Sequence, residues 1–273
     1  MTAHLDFFSL SIEPFSKEVD DKDLWLPPSK KSLVDELVDA VEARESVVVT
    51  GEPGVGKTCV LRALRHALPA DRFRLTYCHN ATLGRRDFYR QLCLALGLTP
   101  SATAAAVFYA VAQHVEDMAK DRRAHPVFLL DEAHLLHQDT PDHLHILLNY
   151  EWDSKALLSL VLVGLSDFDD RLRIRRNRSL SSRLHRRLVI DPLTPDDTAD
   201  YLRARLARAG CAREVFASDS ITMLHEATGG ALRDLDRLAT ACLRTATRKK
   251  RKTIERDVVS RVTKAAAASG EAT

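Results

Sequence analysis

"SVVVTGEPGVGKTCVLRALRHAL", residues 46–68, decides the fold. It opens with a short β-branched run, turns through glycines, and continues with helical periodicity at Val60, Leu61 and Leu64. Its centre, Gly51-Glu52-Pro53-Gly54-Val55-Gly56-Lys57-Thr58, matches GxxxxGK[ST] with a strand before it and a helix after it. The spacing has a physical reason. Glycines let the backbone wrap an anion, so that amide N–H groups and the helix N-terminus point at a phosphate. A lysine at position 57 neutralises the β- and γ-phosphates, and the Thr58 hydroxyl ligates Mg²⁺. The expected nucleotide-binding set is Gly51 to Thr58 with Cys59 behind it, and the expected cofactors are ATP and Mg²⁺.

Working outward, Leu33, Leu37 and Val41 mark a helix before this stretch, and Phe73–Cys78 fits a second strand. Helical patterns follow at about 85–96 and 102–120. "PVFLLDEAHLL" (126–136) and "LLSLVLVG" (157–164) carry continuous apolar runs, the signature of strands buried on both faces, and "RLVID" (187–191) gives a fifth short strand. Strands alternating with helices predict an α/β fold: a five-stranded parallel sheet with helices on both faces. Beyond Pro192 the pattern is helical, punctuated by Gly210, Gly229 and Gly230. The expected division is an α/β nucleotide-binding domain over 1–192 and a small helical domain over 193–273, with the tail AAAASGEAT frayed.

Bulk properties agree with a globular chain. It has 273 residues, 45% hydrophobic and 29% charged, with a net charge of +2. No apolar run approaches the roughly 20 residues of a membrane span, and the first residues lack a signal-peptide pattern. Five scattered cysteines without a CxxC pair fit reduced thiols, so a cytoplasmic location is expected.

Asp131-Glu132 closes the Val127–Leu130 strand. Asp131 is expected to hold the Mg²⁺ shell, and Glu132 to polarise the attacking water as general base. The alternative is an acidic pair opening a surface helix. The letters DEAH also occur in helicases, but this length has no room for their two-lobe motor.

"RLRIRRNRSLSSRLHRR" (171–187) packs eight arginines into seventeen residues, a local excess in a nearly neutral chain. Leu180, Leu184 and Leu188 form a seam leading into the fifth strand, so the segment is packed rather than a free basic tail.

With these residues in place the chain resembles an AAA+ ATPase of the ExeA-like group, nearest to TnsC/TniB-type transposition regulators. The resembling stretches are "FFSLSIEPFSKE", "GEPGVGKTCVLRAL", "FLLDEAHLL", "LLNYEWDS", "LVLVG" and "GGALRDLDRLA", spread over about residues 7–245. The resemblance implies a P-loop NTPase core followed by a helical lid. The N-terminal lead and "LWLPPS" would help enclose the adenine. Arg183 matches an arginine finger reaching a neighbour's ATP, with Arg186 and Arg187 as alternatives or interface partners. Arg233 matches the lid's sensor arginine. Where the group places Gln or Thr after "LVG", this chain has Leu165; either Ser166 substitutes or the sensor is degraded, and hydrolysis then leans on a partner. A finger acting in trans implies self-association into a ring or helical filament.

ExeA-type secretion ATPases continue into a membrane segment and a peptidoglycan-binding region, neither of which occurs in this sequence. The expectation is therefore an assembly on double-stranded DNA, without a membrane, that recruits and activates a transposase. An envelope-assembly ATPase is the alternative, and a helicase-loader-like ATPase a weaker one. In "ATLGRRDFYRQL", Arg85 and Arg86 sit in a first helical turn, where the macrodipole disfavours cations by roughly 0.3–1 kcal/mol each. Bound phosphates would offset that, so both are nominated as DNA contacts against the alternative of two solvated arginines. "TRKKRK" (247–252) reads more readily as a solvated loop. Arg171 to Arg178 reads as a subunit-facing or DNA-adjacent surface. The histidines at 134, 137, 143 and 145 complete no tetrahedral metal set.

Overall fold

The structure is a computed structural model that describes residues 3–78, 84–121 and 124–268. In chain order the elements are α1 (Ala3–Phe8), α2 (Pro28–Glu42), β1 (Ser46–Thr50), α3 (Lys57–Ala67), β2 (Phe73–Cys78), α4 (Arg85–Ala95), α5 (Ala104–Lys120) and β3 (His125–Leu130). There follow α6 (Pro141–Leu147), β4 (Ser159–Gly164), α7 (Asp167–Arg173), α8 (Arg178–Ser181), β5 (Leu184–Val189), α9 (Pro195–Arg208), α10 (Ser218–Thr228), α11 (Leu232–Arg248) and α12 (Arg256–Ala268). Of the tail expected to fray, 265–268 belong to α12, and 269–273 lie outside the described residues.

The five strands form one parallel sheet in the order β2-β3-β4-β1-β5. Every residue of β1 and β4 is buried, as a central strand covered on both faces requires. The edge strands alternate instead. β2 exposes Arg74 and Tyr77, and β5 exposes His185, Arg187 and Val189. That alternation explains one correction. The fifth strand, expected at 187–191, runs from Leu184 to Val189, because its basic first half pairs with β1 while one face stays open to solvent. Leu180 packs from α8, and Leu184 and Leu188 belong to the strand itself. On one side of the sheet, Phe88 and Leu92 of α4 and Val107, Val111 and Val115 of α5 pack with Phe128 and Leu130.

The chain clusters into two compact units that are not contiguous in sequence. One comprises Ser29–Glu52 and Lys57–Ile190; the other comprises Met1–Pro28, Pro53–Gly56 and Asp191–Thr273. The second is helical. Its α9 starts on a capping box, in which Thr194 accepts from the Asp197 N–H and the Asp197 carboxylate accepts from the Thr194 N–H, with Pro195 at the first helical position. Phe8, Leu10 and Phe15 of the N-terminal lead are buried in this unit's core with Leu202, Leu206, Leu235 and Cys242. The Ser11 N–H and hydroxyl both donate to the Ala209 carbonyl, at 2.8 and 3.0 Å. Lys252 donates to the Phe7 carbonyl and stands 3.9 Å from the Phe7 ring centroid.

Candidate functional site

The C-terminal ends of β1, β3 and β4 carry the motif residues of the α/β unit. Gly51 follows β1 and donates to the Gly164 carbonyl at the end of β4, 3.2 Å away. Lys57 opens α3, and its ammonium donates to the carbonyls of Gly51 (2.8 Å) and Glu52 (3.1 Å). Thr58 is exposed in the same first turn, where helical N–H groups lack intrahelical partners.

Asp131 follows β3, is buried at 7% exposure, and accepts two hydrogen bonds. The Glu132 N–H reaches its Oδ1 at 2.9 Å and the Tyr77 hydroxyl its Oδ2 at 2.8 Å. Burial first, then this bond to Asp131, raise the Tyr77 pKa well above its usual value, so the phenol remains a donor. Glu132 adopts a left-handed conformation (φ 52°, ψ 37°), costing a non-glycine residue of order 1–3 kcal/mol. Its carboxylate is exposed and lies 3.5 Å from His134 Nδ1.

The helical unit contains the middle of the phosphate loop, Pro53–Gly56. Gly54 (φ 81°) and Gly56 (φ 101°) occupy backbone conformations that L side chains avoid. A Cβ on Gly56 would stand 2.7 Å from Leu232 Cδ1, and one on Gly54 3.2 Å from Arg233 Cβ. The Arg233 N–H donates to the Gly54 carbonyl at 3.2 Å.

Ser166 follows β4, and its hydroxyl donates to Glu52 Oε1 at 2.6 Å. Arg183 immediately precedes β5; it donates to the Ser179 carbonyl at 3.0 Å and pairs with Asp153 at 2.8 Å. The arginine-rich stretch is largely an intramolecular network. Arg171 holds the carbonyls of His134 (2.7 Å) and Leu136 (2.5 Å), bracing the turn after Asp131-Glu132. Arg173 and Arg187 pair with Asp169, Arg176 with Asp142, and Arg186 with Glu45. The hydrogen bond from Arg176 holds the Asp142 carboxyl below its ordinary range. Arg175 and Arg178 are exposed and show no acidic partner among the described residues.

Arg85 and Arg86 are exposed in the first turn of α4, where Arg85 contacts His143 Nε2 and Arg86 donates to the Ala102 carbonyl at 2.8 Å. Residues 81–83 of their stretch lie outside the described residues. In "TRKKRK", Lys249 and Arg251 pair with Asp257. A cleft of about 790 Å³ lies away from all these motifs, beside Phe73, His125 and Tyr150. Two of its cations pair locally, Arg72 with Glu42 and Lys155 with Glu151.

Sequence reasoning missed Tyr77 and the brace made by Arg171. Both act through neighbours distant in sequence, and a readable signal existed for Tyr77 alone: adjacent parallel strands end at the same edge of a sheet.

The sheet order, the phosphate loop after β1 and the acidic pair after β3 define an AAA+ P-loop NTPase fold. Residues 40–172 match the family described as AAA domain, a class of nucleotide-hydrolysing ATPases. The chain is 32% identical over 231 residues to general secretion pathway protein A of Aeromonas hydrophila, a match covering 83% of this chain and 42% of that protein. It thus spans less than half the length of that relative. Among solved structures, Cdc6p of Pyrobaculum aerophilum is similar with a TM-score of 0.65 at 20% identity, covering 90% of this chain and 71% of that one. The Aeropyrum pernix ORC1 protein, solved in complex with DNA, gives 0.69 at 18% identity over 92% and 68%. Among the described residues no helix is long and apolar enough to cross a membrane.

Proposed function

We propose that the protein is a Mg²⁺-dependent ATPase that uses ATP to control its own assembly on double-stranded DNA. The observation carrying the ATPase reading is the pairing of the Gly51–Thr58 loop with a buried, doubly hydrogen-bonded Asp131 at the end of β3. The residues fit the groups they would hold. Gly54 and Gly56 hold positive-φ conformations that L side chains rarely adopt, Lys57 places an ammonium at the loop, and Asp131 is a fixed carboxylate. Gly51 to Cys59 bind the phosphates, with Lys57 matching their charge. Thr58 and Asp131 hold Mg²⁺, which when bound neutralises charge on the β- and γ-phosphates. Glu132 orients the attacking water and accepts its proton. Arg233, tied to Gly54 through its backbone, serves as the lid's phosphate sensor. Arg183 reaches the ATP of a neighbouring copy.

The DNA reading draws support from Arg175 and Arg178, exposed cations without an acidic partner among the described residues, and from Arg85 and Arg86 on a helix N-terminal turn. Such phosphate contacts are non-specific and weaken with salt. The finer role is that of a transposition regulator recruiting a transposase. A second reading, an envelope-assembly ATPase, is favoured by the 32% identity to the secretion protein. Negative-stain imaging with duplex DNA and a slowly hydrolysed ATP analogue separates them. Rings or filaments that require both ligands support the DNA assembly. Their absence, together with retention on envelope fractions, overturns it in favour of the second reading.

A further inference from the structure

Tyr77 belongs to none of the sequence motifs, yet its phenol reaches the carboxylate at the centre of the site. Strand β2 is an edge strand in parallel register with β3, Tyr77 opposite Leu129 and Cys78 opposite Leu130. The ladder extends one step further, because the Asp131 N–H donates to the Cys78 carbonyl at 3.0 Å. That bond fixes the end of β2 against Asp131 and sets the distance the Tyr77 side chain must span. Tyr77 is 47% exposed, so burial of its apolar surface does not account for its placement. Its hydroxyl meets Oδ2 at 2.8 Å while Oδ1 takes the Glu132 N–H at 2.9 Å, which fixes the plane of the carboxylate from both sides. Each carboxylate oxygen has two lone pairs, so both retain acceptor capacity.

We propose that Tyr77 is a positioning residue for metal binding: its hydroxyl locks the Asp131 carboxylate in the orientation that serves the Mg²⁺ shell. The inference rests on the reading of Asp131 as a metal-shell residue. Residues that hydrogen-bond a metal-serving side chain set its direction, and their loss commonly weakens metal binding by about ten- to a hundredfold. Tyr77→Phe keeps the ring and removes the donor.

The test is an electron paramagnetic resonance titration of Mn²⁺ into protein saturated with a non-hydrolysable ATP analogue. It compares wild type, Tyr77→Phe, Asp131→Asn and the double variant, each checked for an unchanged melting profile. The expected result is roughly tenfold weaker Mn²⁺ binding in Tyr77→Phe. Nucleotide affinity measured in EDTA stays unchanged, and the double variant is no weaker than Asp131→Asn alone. A Tyr77→Phe curve superimposed on wild type overturns the inference. So does an equal loss in both backgrounds, which would place the effect in the ring rather than the bond to Asp131. If Asp131→Asn itself binds Mn²⁺ as wild type does, the assignment of Asp131 fails first and separately.

Discussion

Arg183 and Asp153 form an ion pair of 2.8 Å between the segment entering β5 and the turn after α6. That turn is built from three consecutive left-handed residues, Glu151, Trp152 and Asp153, and it leaves Trp152 fully exposed. The Ser154 hydroxyl donates to the Glu151 carbonyl at 2.6 Å, and Lys155 pairs with Glu151 at 2.7 Å. An arginine proposed to act on a neighbour's ATP is thus held by a carboxylate of its own chain. Arg183→Ala is expected to lower kcat by about 10³-fold or more, in line with finger arginines generally, with nucleotide affinity little changed. Asp153→Asn releases the guanidinium and is expected to keep turnover at or above wild type. Steady-state ATPase assays over a range of protein concentrations check both. Wild-type turnover in Arg183→Ala would move the role to Arg186 or Arg187.

The parallel sheet and the phosphate loop are legible in the sequence because buried strands and an anion-binding turn each leave a local signature. Val47–Val49, Val127–Leu130 and Leu160–Val163 are apolar throughout, as their full burial demands. The fifth strand reads late because an edge strand needs one apolar face, and its first half, Leu184-His185-Arg186-Arg187, hides that face among cations. The arginine cluster is less legible for another reason. Whether Arg171 braces a turn or Arg176 is paired depends on acceptors from the 134–138 turn and α6, far away in sequence. Likewise spacing does not assign the Phe7–Phe15 lead to the helical core, since its partners begin beyond residue 192.

Glu132 occupies a left-handed backbone position one residue after Asp131, with its side chain exposed rather than locked in an ion pair with a strong base. A proton-accepting carboxylate contributes about 10²–10⁴-fold. Glu132→Gln is expected to lose turnover in that range while retaining ATP, so the ATP-bound assembly accumulates. Mass photometry with ATP and Mg²⁺ checks this. Weaker assembly than wild type would remove Glu132 from the general-base role.

Ser166 is engaged with the phosphate loop through Glu52 Oε1 at 2.6 Å. Two residues that act through one bond should be coupled by about 0.5–3 kcal/mol. Ser166→Ala and Glu52→Gln are therefore expected to shift ATP affinity and turnover alike, and the double variant to add little beyond either. Fluorescent-nucleotide titrations and ATPase rates on all four proteins measure the coupling. Strict additivity would mean that Ser166 acts elsewhere, as a sensor in its own right.

Asp236 in α11 accepts from the Tyr201 hydroxyl at 2.6 Å, yet burial outweighs that bond and the nearby Arg205 and raises its pKa from 3.8 to about 6. The sign follows from linkage. Between pH 3.8 and about 6 the folded chain keeps a proton that the unfolded chain has released. Raising the pH through that window therefore removes stability, and above it the loss is complete. A window of that width corresponds to at most about 3 kcal/mol. Asp236→Asn keeps an oxygen for Tyr201 and removes the charge. The variant is expected to melt higher than wild type at pH 7.5, with the advantage shrinking as the pH falls toward about 4. Thermal melts at half-unit pH steps decide it: parallel curves for the two proteins would show that Asp236 is ionised in the folded state with its charge compensated by Arg205.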